Sequence, residues 1–162
     1  MLPAESWEMI RARQRRATIS RTKMKKIYKL GILGKRERAY QAFGAFLTDF
    51  ARDLNHLSEA GWVLLVEGPR DARAMRRLGY RGPMVTVGEV GRRGAGALGD
   101  ARKVVILTDL DQEGATLAAR FVKALKHEGV KTSLSERRRL KAASRGVFLH
   151  VENLSRFGGP TE

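Results

Sequence analysis

The chain contains no cysteine among its 162 residues. This absence excludes a disulfide scaffold, a thiol nucleophile and zinc sites built from thiolates. No stretch approaches the ~18 consecutive apolar residues that a membrane-spanning helix needs, and the first ten residues lack the basic start and apolar core of a signal peptide. We therefore expect a cytoplasmic protein with no membrane partner.

Acidic residues are scarce relative to basic ones. The sequence has 17 Asp+Glu against 32 Lys+Arg, which gives a formal net charge of +15. Residues 1–40 alone hold 12 basic and 3 acidic residues, so a quarter of the chain carries most of the excess. A charge of this sign and size favours a polyanionic partner, and nucleic acid before acidic membrane.

The most basic segment, residues 1–36, has too few large apolar side chains to bury much surface. We predict that it is a basic N-terminal arm that contacts backbone phosphates. Its candidate nucleic-acid-binding residues are Arg11, Arg13, Arg15, Arg16, Arg21, Lys23, Lys25 and Lys26.

The remainder alternates between apolar runs and helical patterns. Residues 37–60 repeat apolar side chains every three or four positions, which predicts an amphipathic helix packed on the core. Uninterrupted apolar strands are predicted at 62–66, 84–87 and 104–107, a weaker one at 130–134 and a last one at 147–149, with helices at 69–78, 112–127 and 136–144 between them. This order is typical of an α/β fold with a Rossmann-like parallel sheet of about four strands. Residues 136–162 form a C-terminal basic helix, strand and tail in this interpretation.

Two further groups of basic residues each have two interpretations. The glycine-rich segment 88–99 is either a phosphate cradle, helped by Arg92 and Arg93, or a connector. The side chains of Arg137, Arg138 and Arg139 either contact phosphates or form a solvated helix face.

Acidic residues directly follow two of the predicted strands. Glu67 and Asp71 come after the strand at 62–66, while Asp109 and Asp111 come after the strand at 104–107. Ligands bind at the carboxyl ends of parallel strands, and clustered carboxylates repel unless a cation neutralises them. These oxygen ligands suit Mg²⁺, with Mn²⁺ as a substitute. Taken singly, Asp111 could be a helix N-cap and Asp71 a partner of a helix dipole.

Together, Glu67-Gly68-x-x-Asp71 and Asp109-x-Asp111-x-x-Gly114 resemble the two motifs of the topoisomerase–primase (Toprim) domain, and the resemblance covers roughly residues 61–135. It implies that Glu67 acts as general acid or base, that Asp109, Asp111 and Glu67 bind Mg²⁺, and that the site is supported by Asp71, Gly68, Glu113 and Gly114. The topoisomerase version of the second motif has another acid where this chain has Ala115. The chain is too small for a primase and offers no tyrosine-bearing domain of a topoisomerase.

The long helix before the first strand and the stretches 126–130, 136–140 and 150–154 resemble the archaeal small Toprim proteins. The chain is more distantly similar to the bacterial Toprim nuclease that matures 5S ribosomal RNA, because the extra domain of that enzyme follows the core whereas the extra segment of this chain precedes it. We therefore expect a Mg²⁺-dependent nuclease acting on structured RNA, in rRNA processing for example, with DNA as the second choice. The alternative is a non-catalytic RNA- or DNA-binding protein of a ribosome or ribonucleoprotein with a metal-binding site. His150 and Glu152 either join the acidic site or form a surface pair.

Overall fold

The computed structural model describes residues 34–145 and 150–157. The chain divides into two compact units, Met1–Ala45 and Phe46–Glu162. In the first unit, the described part is the beginning of helix α1 (Lys35–Glu59). The candidate nucleic-acid-binding residues of the arm, from Arg11 to Lys26, lie outside the described residues, as does the strand predicted at 147–149. Both stay predictions.

The second unit is built on a sheet of four parallel strands in the order β2-β1-β3-β4. These strands are β1 (Trp62–Val66), β2 (Met84–Thr86), β3 (Lys103–Leu107) and β4 (Lys131–Ser133). The two central strands, β1 and β3, are almost wholly buried, which is why their sequences are continuous apolar runs without alternation. The predicted α/β class with a parallel sheet is confirmed.

Three helices connect successive strands of the sheet: α2 (Pro69–Leu78), α3 (Val87–Arg93) and α4 (Gln112–His127). A fourth, α5 (Ser135–Ser144), comes after the last strand. Two 3-10 helices, Gly94–Leu98 and Val151–Arg156, complete the described chain. Helix α2 has the predicted bounds: Pro69 occupies its first turn, and Gly79 ends it at φ 104°, a left-handed conformation that favours glycine.

The part of helix α1 that belongs to the second unit is strongly buried. Leu47, Phe50 and Leu54 are at most 1% exposed. Asn55 fixes the turn after α2, because its side-chain amide donates to the carbonyl of Gly79 and accepts from the backbone N–H of Arg81. This half of the amphipathic helix therefore contributes to the core of the second unit.

The glycine-rich segment 88–99 is not an irregular connector, because it forms helix α3 and the 3-10 helix Gly94–Leu98, while phosphate binding by this segment stays a prediction. Thr86 caps helix α3 by a reciprocal capping box with Glu89, so β2 ends one residue earlier than predicted. At Gly94 the chain turns, and the backbone N–H of Ala95 donates to the carboxylate of Glu128 at 2.8 Å. A carboxylate of the protein itself thus occupies a donor that the cradle would have offered to phosphate.

No helix within residues 34–145 and 150–157 is long and apolar enough to cross a membrane.

Candidate metal centre at the carboxyl ends of strands β1 and β3

The first acidic residue of the site is held beside the second acidic loop by the sheet itself. Strands β1 and β3 pair in register, with Val66 opposite Leu107, so the residues that follow them emerge side by side. The carboxylate of Glu67 accepts a hydrogen bond from the backbone N–H of Asp109 at 3.0 Å. The two halves of the sequence motif are therefore joined directly.

Asp71 is the most buried carboxylate of this region, with 8% of its surface exposed. It lies in the first turn of α2 and accepts the backbone N–H of Gly68 at 2.9 Å, which closes the start of that helix. Gly68 has an extended backbone that any residue adopts, and a methyl group there would meet Asp71 only at an ordinary 3.9 Å. Gly68 therefore contributes its backbone N–H to the site, and the absence of a side chain at this position is not required to make room for a neighbour.

Asp111 combines the two roles that the sequence left open. It is the N-cap of helix α4, and its Oδ1 accepts the backbone N–H of Gly114 at 2.7 Å. The buried hydroxyl of Thr108 donates to the carbonyl of Gly114 at 2.7 Å, which fastens the same turn from the other side. The cap therefore fixes the carboxylate of Asp111 and leaves its Oδ2 free of that bond.

Gly114 allows this turn to close. A Cβ atom at Gly114 would fall on the backbone carbonyl of Asp109, and that contact cannot be relieved by a side-chain rotation. The other supporting residue of the second motif, Glu113, is exposed in the first turn of α4 and lines a surface hollow of about 260 Å³.

Replacing Gly114 by Ala is expected to lower the free energy of unfolding by about 1–3 kcal/mol, the usual cost of forcing a methyl group into filled space. Gly68→Ala is the matched control, because the same methyl group finds room there. Urea denaturation of both variants measures the difference. Equal stabilities of the two variants would contradict the close approach of Gly114 to Asp109.

The carboxylate of Asp109 is oriented by the segment that follows residue 149. Its Oδ1 accepts the backbone N–H of Val151 at 2.7 Å, and its Oδ2 lies 2.9 Å from Nδ1 of His150. The same imidazole nitrogen lies 4.0 Å from Oδ2 of Asp111. His150 therefore lies in the acidic site, which is the first of the two alternatives that the sequence left open for this residue. Glu152 lies at its margin, where it pairs with Arg70 at 3.8 Å.

Asp109, Asp111 and His150 form a donor set that fits a divalent cation. One ligand atom from each lies within 4.8 Å of the others. Backbone donors hold Oδ1 of both aspartates, while both Oδ2 atoms face the same imidazole nitrogen. Two carboxylates suit Mg²⁺ or Mn²⁺, and an imidazole adds affinity for Mn²⁺ and later transition metals. Glu67 lies beside this group, and its expected role as a further metal ligand stays a prediction.

Crowding and burial shift the proton affinities of the site. Burial raises the pKa of Glu67; the hydrogen bond from Asp109 opposes this shift, and the negative charges of Asp109, Asp71 and Asp111 add to it. Burial also raises the pKa of Asp71, with the charge of Asp109 adding to the effect. The hydrogen bond with Asp109 raises the pKa of His150. Each of these raised pKa values means that the group holds its proton more tightly, which reduces the negative charge of the cluster. A bound cation would reduce this charge in the same way.

Arg137 is placed differently from the sequence prediction. Its side chain is buried, and its guanidinium donates to three backbone carbonyls of the acidic loop, those of Thr108, Asp109 and Asp111. A buried guanidinium that is already bound in this way does not face a phosphate backbone, so the prediction that Arg137 contacts nucleic acid is wrong. The sequence pattern of α5 does not indicate that Arg137 is buried, because the neighbouring residues are basic as well.

The other basic candidates in the described part of the chain, on α3 and α5, are exposed. Arg138 faces solvent, whereas Arg139 pairs with Asp53 and Glu136 and lies over the rings of Phe46 and Phe50. Arg92 and Arg93 lie in the last turn of α3. Their contact with nucleic acid stays a prediction.

Replacing Arg137 by Ala is expected to weaken Mn²⁺ binding by about 10–100-fold, the usual effect of removing a residue that orients metal ligands. Arg137→Lys should recover only part of this affinity, because an ammonium lacks the planar fork that bonds several carbonyls. Electron paramagnetic resonance measures free Mn²⁺ during the titration, and circular dichroism verifies that each variant is folded. Arg138→Ala is the control. A folded Arg137→Ala variant with unchanged Mn²⁺ affinity would show that Arg137 only fills space.

Comparison with known proteins agrees with this geometry. The family model described as the Toprim domain matches residues 61–135. A UPF0292 protein of Archaeoglobus fulgidus is 36% identical over 105 residues, which are 65% of this chain and 83% of the relative. The chain belongs to the UPF0292 family and contains a Toprim domain.

Other members of the UPF0292 family are similar over the same share of the chain. A protein of Pyrococcus abyssi is 31% identical over 106 residues, covering 65% of this chain and 80% of its own length. A solved structure of a protein from Aquifex aeolicus matches 65% of this chain and 94% of its own with a TM-score of 0.53 and 23% sequence identity, which supports the fold.

Proposed function

We propose that this UPF0292 protein is a divalent-metal-dependent nuclease that hydrolyses phosphodiester bonds in structured RNA, with DNA as the second substrate. The observation that carries the proposal is the fixed donor set of Asp109, Asp111 and His150 with the carboxylate of Glu67 beside it. The Toprim domain and the net charge of +15 support a nucleic-acid substrate.

Asp109, Asp111 and His150 would hold the metal. A bound divalent cation, Mg²⁺ or Mn²⁺, would polarise the scissile phosphate and stabilise negative charge on its oxygens. Hydrolysis forms a bond from a water oxygen to phosphorus and breaks the bond to a sugar oxygen. The water loses a proton, and the departing oxygen gains one.

Glu67 is the residue best placed to carry one of these protons. It is partly buried, and its raised pKa brings its proton affinity closer to neutrality than that of an exposed carboxylate. The backbone N–H of Asp109 holds one carboxylate oxygen, which orients the side chain without neutralising it. Asp71 supports this arrangement from the first turn of α2.

The test is a cleavage assay on labelled RNA stem–loops and on DNA duplexes of matched sequence. Cleavage that requires Mg²⁺ or Mn²⁺, stops with EDTA and is faster on RNA is expected. Binding of both nucleic acids without metal-dependent cleavage would instead support the alternative, a non-catalytic member of a ribonucleoprotein.

A further inference from the structure

Helix α2 carries four arginines on a single face: Arg70, Arg73, Arg76 and Arg77. At 3.6 residues per turn, the four positions span about 120° of the helix circumference. All four side chains are exposed, whereas Asp71, Ala74 and Met75 on the opposite face are buried. The helix is therefore divided into a buried side and a cationic side.

Two of these arginines are not neutralised by the residues that the structure describes, and Arg70 is paired only at its exposed tip. Among the residues that the structure describes, none forms a hydrogen bond or ion pair with the side chain of Arg73 or Arg77. Arg70 is 79% exposed and reaches Glu152 only at 3.8 Å. Arg76 differs, because its guanidinium donates to the carbonyl of Tyr80 and lies over the ring of that residue.

Like charges four positions apart on a helix repel each other, as Arg73 and Arg77 do, and no acidic residue on this face compensates for them. Such an arrangement costs stability in the free protein. Binding of a chain of anions relieves this repulsion. The planar fork of arginine binds phosphate oxygens in pairs, which makes this residue type better suited than lysine to a phosphate backbone.

The position of this face relates it to the metal centre. Helix α2 begins directly after Glu67, and Asp71 in its first turn is bonded to Gly68. From Arg70 to Arg77 the helix rises about 10 Å, at 1.5 Å per residue. The arginine face thus starts at the edge of the acidic site and leads away from it.

We propose that Arg70, Arg73 and Arg77, the arginine face of α2, bind successive backbone phosphates of the substrate strand and lead that strand into the metal centre. This inference rests on the proposed function for the identity of the ligand, a nucleic acid. It assigns phosphate contacts to residues of the described part of the chain that the sequence analysis did not name as nucleic-acid-binding candidates.

The first test is the salt dependence of binding, measured with EDTA present so that metal-dependent cleavage does not interfere. The triple variant Arg70→Gln, Arg73→Gln, Arg77→Gln is compared with Arg120→Gln, Lys123→Gln, Lys126→Gln, which removes three exposed cations from α4. Fluorescence anisotropy of a labelled RNA stem–loop gives the slope of log K against log salt. The α2 variant should flatten this slope by about 2–3, since each lost phosphate contact removes about 0.7–0.9. The α4 variant should change it by less than about 1.

The second test uses the absence of cysteine from the chain. A benzophenone maleimide on Arg73→Cys should crosslink to the labelled RNA on illumination, whereas the same reagent on Lys123→Cys should crosslink weakly. Neither measurement requires cleavage, so a protein that binds and crosslinks through α2 without cutting RNA contradicts the nuclease and leaves the arginine face standing. Equal slopes for the two triple variants, or equal crosslinking at the two cysteines, would overturn the arginine face even if cleavage is observed.

Discussion

Replacing Glu67 by Gln is expected to lower the rate of metal-dependent cleavage by about 10²–10⁴-fold, the usual effect of losing a general acid or base. Glutamine has the same size, and its carbonyl oxygen can still accept the backbone N–H of Asp109, so the geometry of the site is preserved. It cannot exchange a proton in the same way. Affinity for nucleic acid should stay equal or rise, because one negative charge near phosphate is lost.

Single-turnover cleavage at saturating protein separates this effect from binding. Asp100→Asn removes the same charge from an exposed position and serves as the control, with an expected rate close to that of the original chain. Asp109→Asn should also abolish cleavage, but through weaker metal binding, so raising the Mn²⁺ concentration should rescue it in part. Retention of full activity by Glu67→Gln would remove this residue from the chemistry and leave only the metal centre.

The sheet and its flanking helices could be predicted from the sequence because each has a strong local signal. The buried strand Trp62–Val66 is a run of strand formers, and helix Pro69–Leu78 has proline at its start and glycine after its end. The clustering of the acidic residues could be predicted from the topology, since parallel strands bring their carboxyl ends to one edge of the sheet. Pairing of Glu67 with the Asp109 loop is the direct result.

Helix α3 was missed although a signal was present. Thr86 and Glu89 have the spacing of a capping box, but the five glycines between positions 88 and 99 suggested a loop. Glycine has low helix propensity, yet a short helix can form where its ends are capped and a residue such as Val90 is buried. Local capping outweighed intrinsic propensity.

The roles of His150 and Arg137 depended on contacts between distant parts of the chain. His150 is 41 residues from Asp109, and Arg137 is 28 residues from the same residue. No periodicity within one helix distinguishes Arg137 from exposed Arg138, because the distinction arises from which side of α5 faces the acidic loop. Sequence spacing therefore predicted the acids of the site but not the residues that orient them.

Deleting residues 1–33 is expected to flatten the salt dependence of nucleic-acid binding from a slope near −5 to about −2 on a duplex, because each lost phosphate contact removes about 0.9. The segment holds nine basic residues and lies outside the described part of the structure, so this expectation rests on charge alone. Mn²⁺ binding at Asp109 and Asp111 should be unchanged, since the donors that fix both carboxylates belong to residues 114 and 151.

Combining this deletion with the three α2 substitutions tests whether the arginine face accounts for the salt dependence that remains after the arm is deleted. If the arm and the arginine face bind separate phosphates, their effects on the slope add, and the combined variant should keep only the small salt dependence that the exposed residues of α3 and α5 supply. Cleavage by the truncated protein should fall mainly through weaker substrate binding, so its single-turnover rate at saturation should match that of the full chain. An unchanged slope after deletion would show that the arm has a structural role, on the core or on a second subunit. The arginine face and the exposed residues of α3 and α5 would then have to supply all the phosphate contacts.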